Sequence, residues 1–108
     1  MKQQKILFVC HGNICRSPMA EFLMKKLAKD AGRAREFEID SVATSTEEIG
    51  NDMYPPAKHC LRNHGVPFEH RAARKMTQGE NRDVADPWYT RDFEKTYADL
   101  CAALPRIL

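Results

Sequence analysis

Cys10 and Arg16 are the two residues of this chain whose types and spacing are best suited to chemistry. Cys10 ends an apolar run, and the residues between the pair include Gly12 and Asn13, which suit a tight polar loop. If a helix follows directly, such a loop points successive backbone N–H groups inward, beside the positive end of the helix dipole. Those groups can bind the oxygens of a phosphoryl group while the guanidinium of Arg16 clamps two of them. The same field favours a thiolate at Cys10, which predicts a nucleophilic cysteine.

The elements that would position this loop are a strand before it and a helix after it. Residues 5–10 (KILFVC) are apolar and rich in β-formers, which predicts a strand buried on both faces, as in a parallel sheet. Ser17 and Pro18 are typical of a helix start, with Ser17 as the N-cap and Pro18 at the first helical position. Gly32 supplies the end of this helix. The helix carries one apolar stripe, which consists of Ala20, Leu23, Met24, Leu27, Ala28 and Ala31.

The rest of the chain continues the alternation of strands and helices. Residues 37–42 (FEIDSV) alternate in polarity and predict a second strand, and a helix is expected from Pro55 to His64. The last predicted helix presents an apolar face before Pro105, made of Phe93, Tyr97, Leu100, Cys101 and Leu104. This order predicts one α/β domain over residues 1–108, with a three-layer parallel sheet and flanking helices.

The composition is that of one globular domain, since the 108 residues are 43% hydrophobic and 30% charged. The net charge is +2 with the signs interspersed, so no basic block is present for nucleic acid or an anionic membrane. No apolar run approaches the roughly 20 residues that span a bilayer, and the apolar stretch after MKQQK is too short for a secretory signal. A cytoplasmic protein is therefore expected, with its four cysteines as thiols. Cys60 and Cys101 are expected to be buried and inert.

The loop sequence VCHGNICRSPMAE closely resembles the signature loop of the low-molecular-weight protein tyrosine phosphatases. The resemblance continues through IDSVATSTEEIGN, LRNHGVPF and ARKMT. It resumes at DVADPWYTRDFEKTY, which is similar to the family's general-acid loop and final helix, so nearly the whole chain is covered. The resemblance implies a phosphatase-type loop after the first strand and hydrolysis of phosphotyrosine proteins or small aryl phosphates. It also implies inorganic phosphate as the product and no cofactor.

The resemblance assigns roles to individual residues. Cys10 is implied as the nucleophile, Arg16 as the phosphate clamp and Asp86 as the general acid. Ser17 is implied as the group that stabilises the thiolate. The residues that support the loop are Asn13, Ser17 and Ser41. The residues that line the substrate site are His11, Gly12, Asn13, Ile14, Cys15, Ser17, Glu47, Trp88 and Tyr89.

Asp86 also makes chemical sense as an acid from the residues themselves. Loss of a phenolate from a phosphate ester is faster when a positioned acid protonates the leaving oxygen. Pro87 stiffens the chain after Asp86, and Trp88 and Tyr89 offer flat surfaces that can flank an aromatic group. Without the resemblance, the same residues also fit an ordinary turn before the last helix, with the aromatic side chains in the core.

Cys10 and Cys15 resemble a pair that, in this family, can form a reversible protective disulfide. The two are not expected to bind zinc, because tetrahedral sites need four ligands and no second pair has a suitable spacing. No metal is therefore predicted.

Two positions depart from the pattern of the family. The family usually has a histidine three residues before the arginine of its A-R motif, whereas this chain has Arg71 there and His70 one position earlier. Glu47 stands where many relatives carry an aromatic residue in the loop that lines the crevice. A carboxylate at this position is expected to repel acidic phosphopeptides.

Alternatives to a tyrosine phosphatase remain open. Arsenate reductases share the loop but relay a disulfide through a close pair of further cysteines, whereas Cys60 and Cys101 are isolated in the sequence. Related arginine phosphatases tend to carry threonine where this loop has Ile14, and the larger apolar side chain favours an aromatic substrate. A relative that binds phosphate without catalysis, or turns it over slowly, is a further alternative.

An apparent internal deletion lies near residues 78–82. Only these residues separate Met76 and Thr77 from Asp83, where the family normally inserts a strand, a helix and another strand. A crossover unit needs at least about 10–12 residues, so this segment cannot contain one. The first strand would then present an apolar, unpaired edge. We therefore expect a homodimer, which completes the sheet either edge to edge through residues 5–10 or by exchange of the C-terminal helix.

Overall fold

The computed structural model describes residues 3–10, 12–14, 16–77 and 93–107. The elements are strand β1 (Gln4–Cys10), helix α1 (Arg16–Asp30), strand β2 (Phe37–Ala43), helix α2 (Pro55–Asn63) and helix α3 (Phe93–Ala103). Short 3₁₀ segments at Ala34–Glu36 and Leu104–Ile107 precede β2 and follow α3. None of the helices in these ranges is long and apolar enough to cross a bilayer.

The two strands lie side by side as a parallel pair. Their register runs from Gln4 opposite Phe37 to Cys10 opposite Ala43. Helix α1 makes the crossover that parallel neighbours need, and it packs against both strands. The carboxyl ends of the strands therefore meet at one edge of the sheet. There the backbone N–H of Thr44 donates to the carbonyl of Cys10 at 3.0 Å.

The predicted α/β class with a parallel sheet is confirmed, and the described residues contribute two strands to that sheet. An isolated bridge joins Lys75 to Ala43, on the side of β2 away from β1. The N–H of Ala43 donates to the carbonyl of Arg74, and the N–H of Met76 donates back to Ala43, each at 2.7 Å. Among the described residues, the opposite edge of β1 has no strand partner. Residues 78–82, where the sequence predicts a deletion, lie outside the described ranges.

Helix α1 begins at Arg16, so the prediction that Ser17 is the N-cap is wrong. Ser17 lies inside the first turn, and its hydroxyl contacts Cys10 and Asn13 instead of capping the helix. The predicted end of the helix is confirmed, because Gly32 follows it with a left-handed φ of 71°.

The burial of α1 is not the single stripe that the sequence predicts. Met19 and Phe22, which lie outside that stripe, are buried, whereas Ala31, which belongs to it, is exposed. The physical reason is that α1 packs against both strands and also against α2 and α3. Neighbours on several sides cover the N-terminal half of the helix all round, so a one-sided pattern underestimates its burial.

Helices α2 and α3 pack on α1 and on each other, and the three helices share one core. Cys60 of α2 is buried in this core as expected, and Tyr97 and Leu100 of α3 pack against it. Cys101 is exposed, so the prediction that it is buried is wrong. It follows Leu100 directly, and one helical step of about 100° turns its side chain out of the core.

Candidate active site

The thiol of Cys10 lies at the carboxyl end of β1, buried beside the first turn of α1. The backbone N–H of Asn13 donates to its Sγ at 3.2 Å, and the Oγ of Ser17 lies 3.0 Å from the same sulfur. Ser17 accepts a hydrogen bond from Nδ2 of Asn13 at 2.8 Å, and its hydroxyl proton can be donated to the sulfur. Ser17 thus makes the contact that its predicted role needs. The N–H of Asn13, the hydroxyl of Ser17 and the N-terminus of α1 therefore all face the sulfur of Cys10.

Asn13 shapes the loop because it has the left-handed backbone conformation, with φ of 56°, and is fully buried. Asparagine is one of the few residues other than glycine that adopts this conformation readily. The conformation turns the N–H of Asn13 back toward Cys10. Its two side-chain atoms and its carbonyl are also bonded, so Asn13 is held from several directions.

Two arginines of the segment after α2 hold Asn13 in place. Nη1 of Arg71 donates to the carbonyl of Asn13 at 2.7 Å, and Nη2 donates to its side-chain Oδ1. The backbone N–H of Arg74 donates to the same Oδ1 at 3.2 Å, while its guanidinium pairs with Asp40 at 2.8 Å. Partial burial lowers the pKa of Arg71, and the negative charge of Glu21 acts in the opposite direction. Arg71, rather than its neighbour His70, therefore supports the loop.

The bond that the structure describes for the hydroxyl of Ser41, which the resemblance assigns to loop support, is to α1. In the described residues its hydroxyl donates to Oε1 of Glu21, on α1, at 2.6 Å. Oε2 of the same buried carboxylate accepts from Lys25 at 2.6 Å. The cause is the position of Ser41 in β2, directly beneath α1, where a buried carboxylate needs a donor. Ser41 thus links β2 to α1, and Glu21 supplies one of the negative charges that act on Arg71.

The loop after β2 packs against the turn between Cys10 and Arg16. A Cβ atom at Gly12 would lie 3.3 Å from Cγ of Glu48, so a larger residue at position 12 would require the side chain of Glu48 to shift slightly. The carbonyl of Ile14 accepts from the N–H of Tyr54 at 2.7 Å. Glu47 lies exposed on the same loop, next to Glu48. Its effect on substrate choice stays a prediction.

Arg16 is the first residue of α1 and is partly buried, which puts the predicted phosphate clamp on the element that the thiol faces. Five other predicted site residues lie outside the described ranges: His11, Cys15, Asp86, Trp88 and Tyr89. The geometry of the candidate site therefore consists of the cysteine, its donors and their supports. A buried cysteine sulfur at a strand end, facing an N–H group, a hydroxyl and a helix N-terminus, can act as a nucleophile beside a bound oxyanion.

Asp52 anchors the segment that carries Arg71. Its carboxylate accepts from the N–H groups of Met53 at 2.7 Å and Arg71 at 3.2 Å. It also pairs with His70 at 3.0 Å and with the ammonium group of Lys58. Burial raises the pKa of this carboxyl, but the hydrogen bonds outweigh burial and hold the pKa well below its ordinary value of 3.8.

Sequence reasoning did not find the supporting roles of Glu21 and Asp52. Glu21 has a weak signal, because it is a charged residue among apolar neighbours in the first half of α1. Nothing in the sequence around Asp52 points to a supporting role, since acidic residues are common in loops. For Arg71 the signal is its place three residues before the arginine of the A-R motif, where the family usually has histidine.

We expect Asp52→Asn to lower the free energy of unfolding at neutral pH, because an amide cannot form the ion pair with Lys58. A carboxyl whose pKa is depressed by folding stabilises the protein above its unfolded pKa and loses that effect as pH falls. The difference in the free energy of unfolding between wild type and variant should therefore be constant above about pH 5 and shrink as pH falls below 3.8. Urea unfolding at a series of pH values measures it.

Asp30→Asn is the matched control, since Asp30 forms an exposed ion pair with Lys26. Removing such a pair should change stability by at most about 1 kcal/mol. A difference for Asp52→Asn that stays the same down to pH 2 would contradict the assigned ionisation.

Comparisons with known proteins agree on one family. The profile of the family described as low molecular weight phosphotyrosine protein phosphatase matches residues 5–84. The human protein of that name is 44% identical over 75 residues, which are 69% of this chain and 47% of the human one.

Solved structures with the same fold include two that bear on this chain. The crystal structure of YfkJ from Bacillus subtilis superposes with a TM-score of 0.84 and 26% identity, covering 99% of this chain and 93% of that one. The crystal structure of an arginine phosphatase from Drosophila has a TM-score of 0.65 and 27% identity, covering 75% of this chain and 50% of that one.

The match to the family extends over most of the chain, although the chain spans about half the length of the curated relatives that it matches. The matched residues include the strand that ends at Cys10, the loop held by Asn13 and the segment that carries Arg71. The chain therefore belongs to the low molecular weight phosphotyrosine protein phosphatase family.

Proposed function

We propose that this protein hydrolyses phosphate monoesters of phenols, as phosphotyrosine in proteins or as small aryl phosphates. The observation that carries the proposal is the environment of Cys10. Its sulfur receives the N–H of Asn13 and lies beside the hydroxyl of Ser17 and the N-terminus of α1. These groups stabilise negative charge at the sulfur and at any oxyanion bound next to it.

The proposed reaction has two steps. The sulfur of Cys10 attacks phosphorus while the P–O bond to the phenol breaks, with Arg16 and the loop N–H groups holding the phosphoryl oxygens. Asp86 gives its proton to the departing phenolate. In the second step the ionised Asp86 takes a proton from water, which attacks the cysteinyl phosphate. Inorganic phosphate leaves, the thiolate of Cys10 is restored and Asp86 is protonated again.

The proposed preference for an aromatic substrate rests on Ile14. The Drosophila arginine phosphatase shares the fold, so the fold alone does not choose between phosphotyrosine and phosphoarginine. Ile14 places an apolar side chain in the loop, next to Gly12, and an apolar surface favours a flat phenyl ring over a charged guanidinium group.

The decisive experiment compares hydrolysis of two aryl phosphates, one with a good and one with a poor leaving group. Cys10→Ser should abolish turnover and still bind phosphate or vanadate, because the backbone N–H groups remain. Asp86→Ala should slow hydrolysis of phosphotyrosine by roughly 10²–10⁴-fold and affect the better leaving group less, because that group needs little protonation.

Equal losses on both substrates would mean that Asp86 has a structural role only. Retained turnover in Cys10→Ser would remove the proposed nucleophile. Oxyanion binding without turnover in the wild type would favour the non-catalytic alternative, and reduction of arsenate with added thiols would favour the reductase.

We also propose that Arg71 is a positioning residue, which acts on substrate through Asn13. Arg71→Met removes two charge-assisted hydrogen bonds to Asn13, each of about 1.5–3 kcal/mol. We expect the inhibition constant of phosphate and the KM of aryl phosphates to rise by roughly 10-fold or more, since each 1.4 kcal/mol is a factor of ten. Arg71→Lys should restore part of the loss.

Arg62→Met is the control for this variant, because the guanidinium of Arg62 lies over the ring of Phe68 and is exposed. It should leave KM unchanged. If Arg71→Met lowers only thermal stability, with KM and phosphate inhibition as in wild type, Arg71 does not position the loop.

We propose further that the protein is a homodimer in which β1 of one chain pairs with β1 of the other. In the described residues β1 has a strand partner on one edge, and its residues from Ile6 to Val9 are partly exposed. A two-stranded sheet is marginal by itself, which favours pairing with a second copy. Helix α3 lies against α1 and α2 of its own chain, so edge pairing needs no rearrangement, whereas exchange of α3 would require it to leave both.

Sedimentation at micromolar concentration should therefore give the mass of a dimer. Leu7→Pro should convert it to a monomer. Because Cys10 faces β2 through its carbonyl, the alternation along the strand directs the N–H of Leu7 to the open edge, and proline removes that donor. A folded wild-type monomer would refute the proposal.

We place the protein in the cytoplasm, a reducing compartment that keeps Cys10 a thiol.

A further inference from the structure

Three side chains with metal-binding atoms meet where α2 ends and α3 begins. They are Cys60, His64 and Glu94, and one ligand atom of each lies within 4.8 Å of the other two. Cys60 and His64 are four residues apart, which places them on one face at the end of α2. Glu94 lies in the first turn of α3. The cluster is on different elements from the loop of Cys10, and it takes no part in the proposed hydrolysis.

The cluster already has a defined geometry. Nε2 of His64 lies 2.6 Å from Oε2 of Glu94, and the imidazole stacks on the ring of Tyr97 with centroids 3.9 Å apart and planes at 12°. Cys60 is buried in the core beneath them. The stacking and the burial hold two of the three ligands in place, whereas the carboxylate of Glu94 is exposed and can adjust.

The local electrostatics favour a cation. The carbonyl end of α2 is the negative end of its dipole, and His64 lies at this end.

We infer that Cys60, His64 and Glu94 form a binding site for a zinc ion. A thiolate, an imidazole and a carboxylate are the ligands that zinc takes, and the sulfur disfavours magnesium and calcium. Three protein ligands leave one position of the tetrahedron for water. This inference does not depend on the proposed phosphatase activity.

Binding requires side-chain shifts of about 1 Å and no redox chemistry. With bonds of about 2.0–2.3 Å, the ligand atoms of a tetrahedral zinc ion are roughly 3.3–3.8 Å apart. His64 and Glu94 therefore need to separate by about 1 Å. The thiol proton of Cys60 leaves to solvent, His64 binds through Nε2 as a neutral imidazole with its proton on Nδ1, and zinc keeps its charge of +2. The ion fastens α3 to α2, so it should stabilise the folded chain.

The test is a titration of the full chain with zinc, and with cobalt as a spectroscopic probe. Both are done in a Cys10→Ser background, which removes the thiolate of the loop as a competitor. We expect one ion per chain, a sulfur-to-cobalt charge-transfer band, and a melting temperature that rises with zinc concentration. Cys60→Ala should abolish the band and weaken zinc binding by ~100-fold or more, beyond the 10–100-fold typical of losing an outer partner of a metal site.

Glu94→Gln changes an exposed side chain and so tests the site without a risk to folding. It should weaken zinc binding while the charge-transfer band of Cys60 remains at saturating cobalt. Cys101→Ala is the matched control, because Cys101 is a cysteine of the same helix α3 that lies outside the cluster. It should bind zinc as the parent does.

Two results would overturn the inference. One is the absence of zinc binding at micromolar concentration in the Cys10→Ser background. The other is binding that Cys60→Ala and Glu94→Gln leave unchanged, which would mean that the ion occupies other groups of the chain.

Discussion

The left-handed conformation of Asn13 is the constraint on which the rest of the site depends. A non-glycine residue in this conformation is held only when its surroundings determine it, and here Arg71, Arg74 and Ser17 all bond to it. This conformation directs the backbone N–H of Asn13 at the sulfur of Cys10. If Asn13 relaxed to an ordinary conformation, that donor would turn away and the support of Ser17 would be lost with it.

Holding Asn13 with an arginine has consequences through the fold. A partly buried guanidinium needs negative charge nearby, and Glu21, Asp52 and Asp40 supply it from α1, a loop and β2. Glu21 in turn is bonded to Ser41 and Lys25, so α1 and β2 are joined beneath the loop. A family histidine would need less compensation, because it can be neutral. The charged groups Glu21, Asp40 and Asp52 are therefore part of the arrangement by which Arg71 holds Asn13.

The groups that hold the loop all lie between residues 13 and 74, which the described structure contains in nearly continuous form. The arrangement of Cys10, Asn13 and Ser17 therefore forms within a chain that spans about half the length of its curated relatives. Within the described residues the sheet has two strands, and β1 has an open edge. The helices compensate in part for the small sheet, since α1, α2 and α3 share one core.

The sequence by itself determined the strand, the loop and the presence of a helix after it, which together create the candidate site. Those features depend on neighbours along the chain: an apolar run before Cys10, turn residues after it and helix formers beyond Arg16. The family followed from the same motif. Only the tertiary structure decided that Arg71 reaches Asn13, 58 residues away, and that Ser41 bonds to Glu21. The same is true of Cys101, whose exposure depends on the angle at which α3 packs, and of the meeting of Cys60, His64 and Glu94. Contacts of this kind are set by how helices and strands pack in space, and no local pattern in the chain records the distance between them.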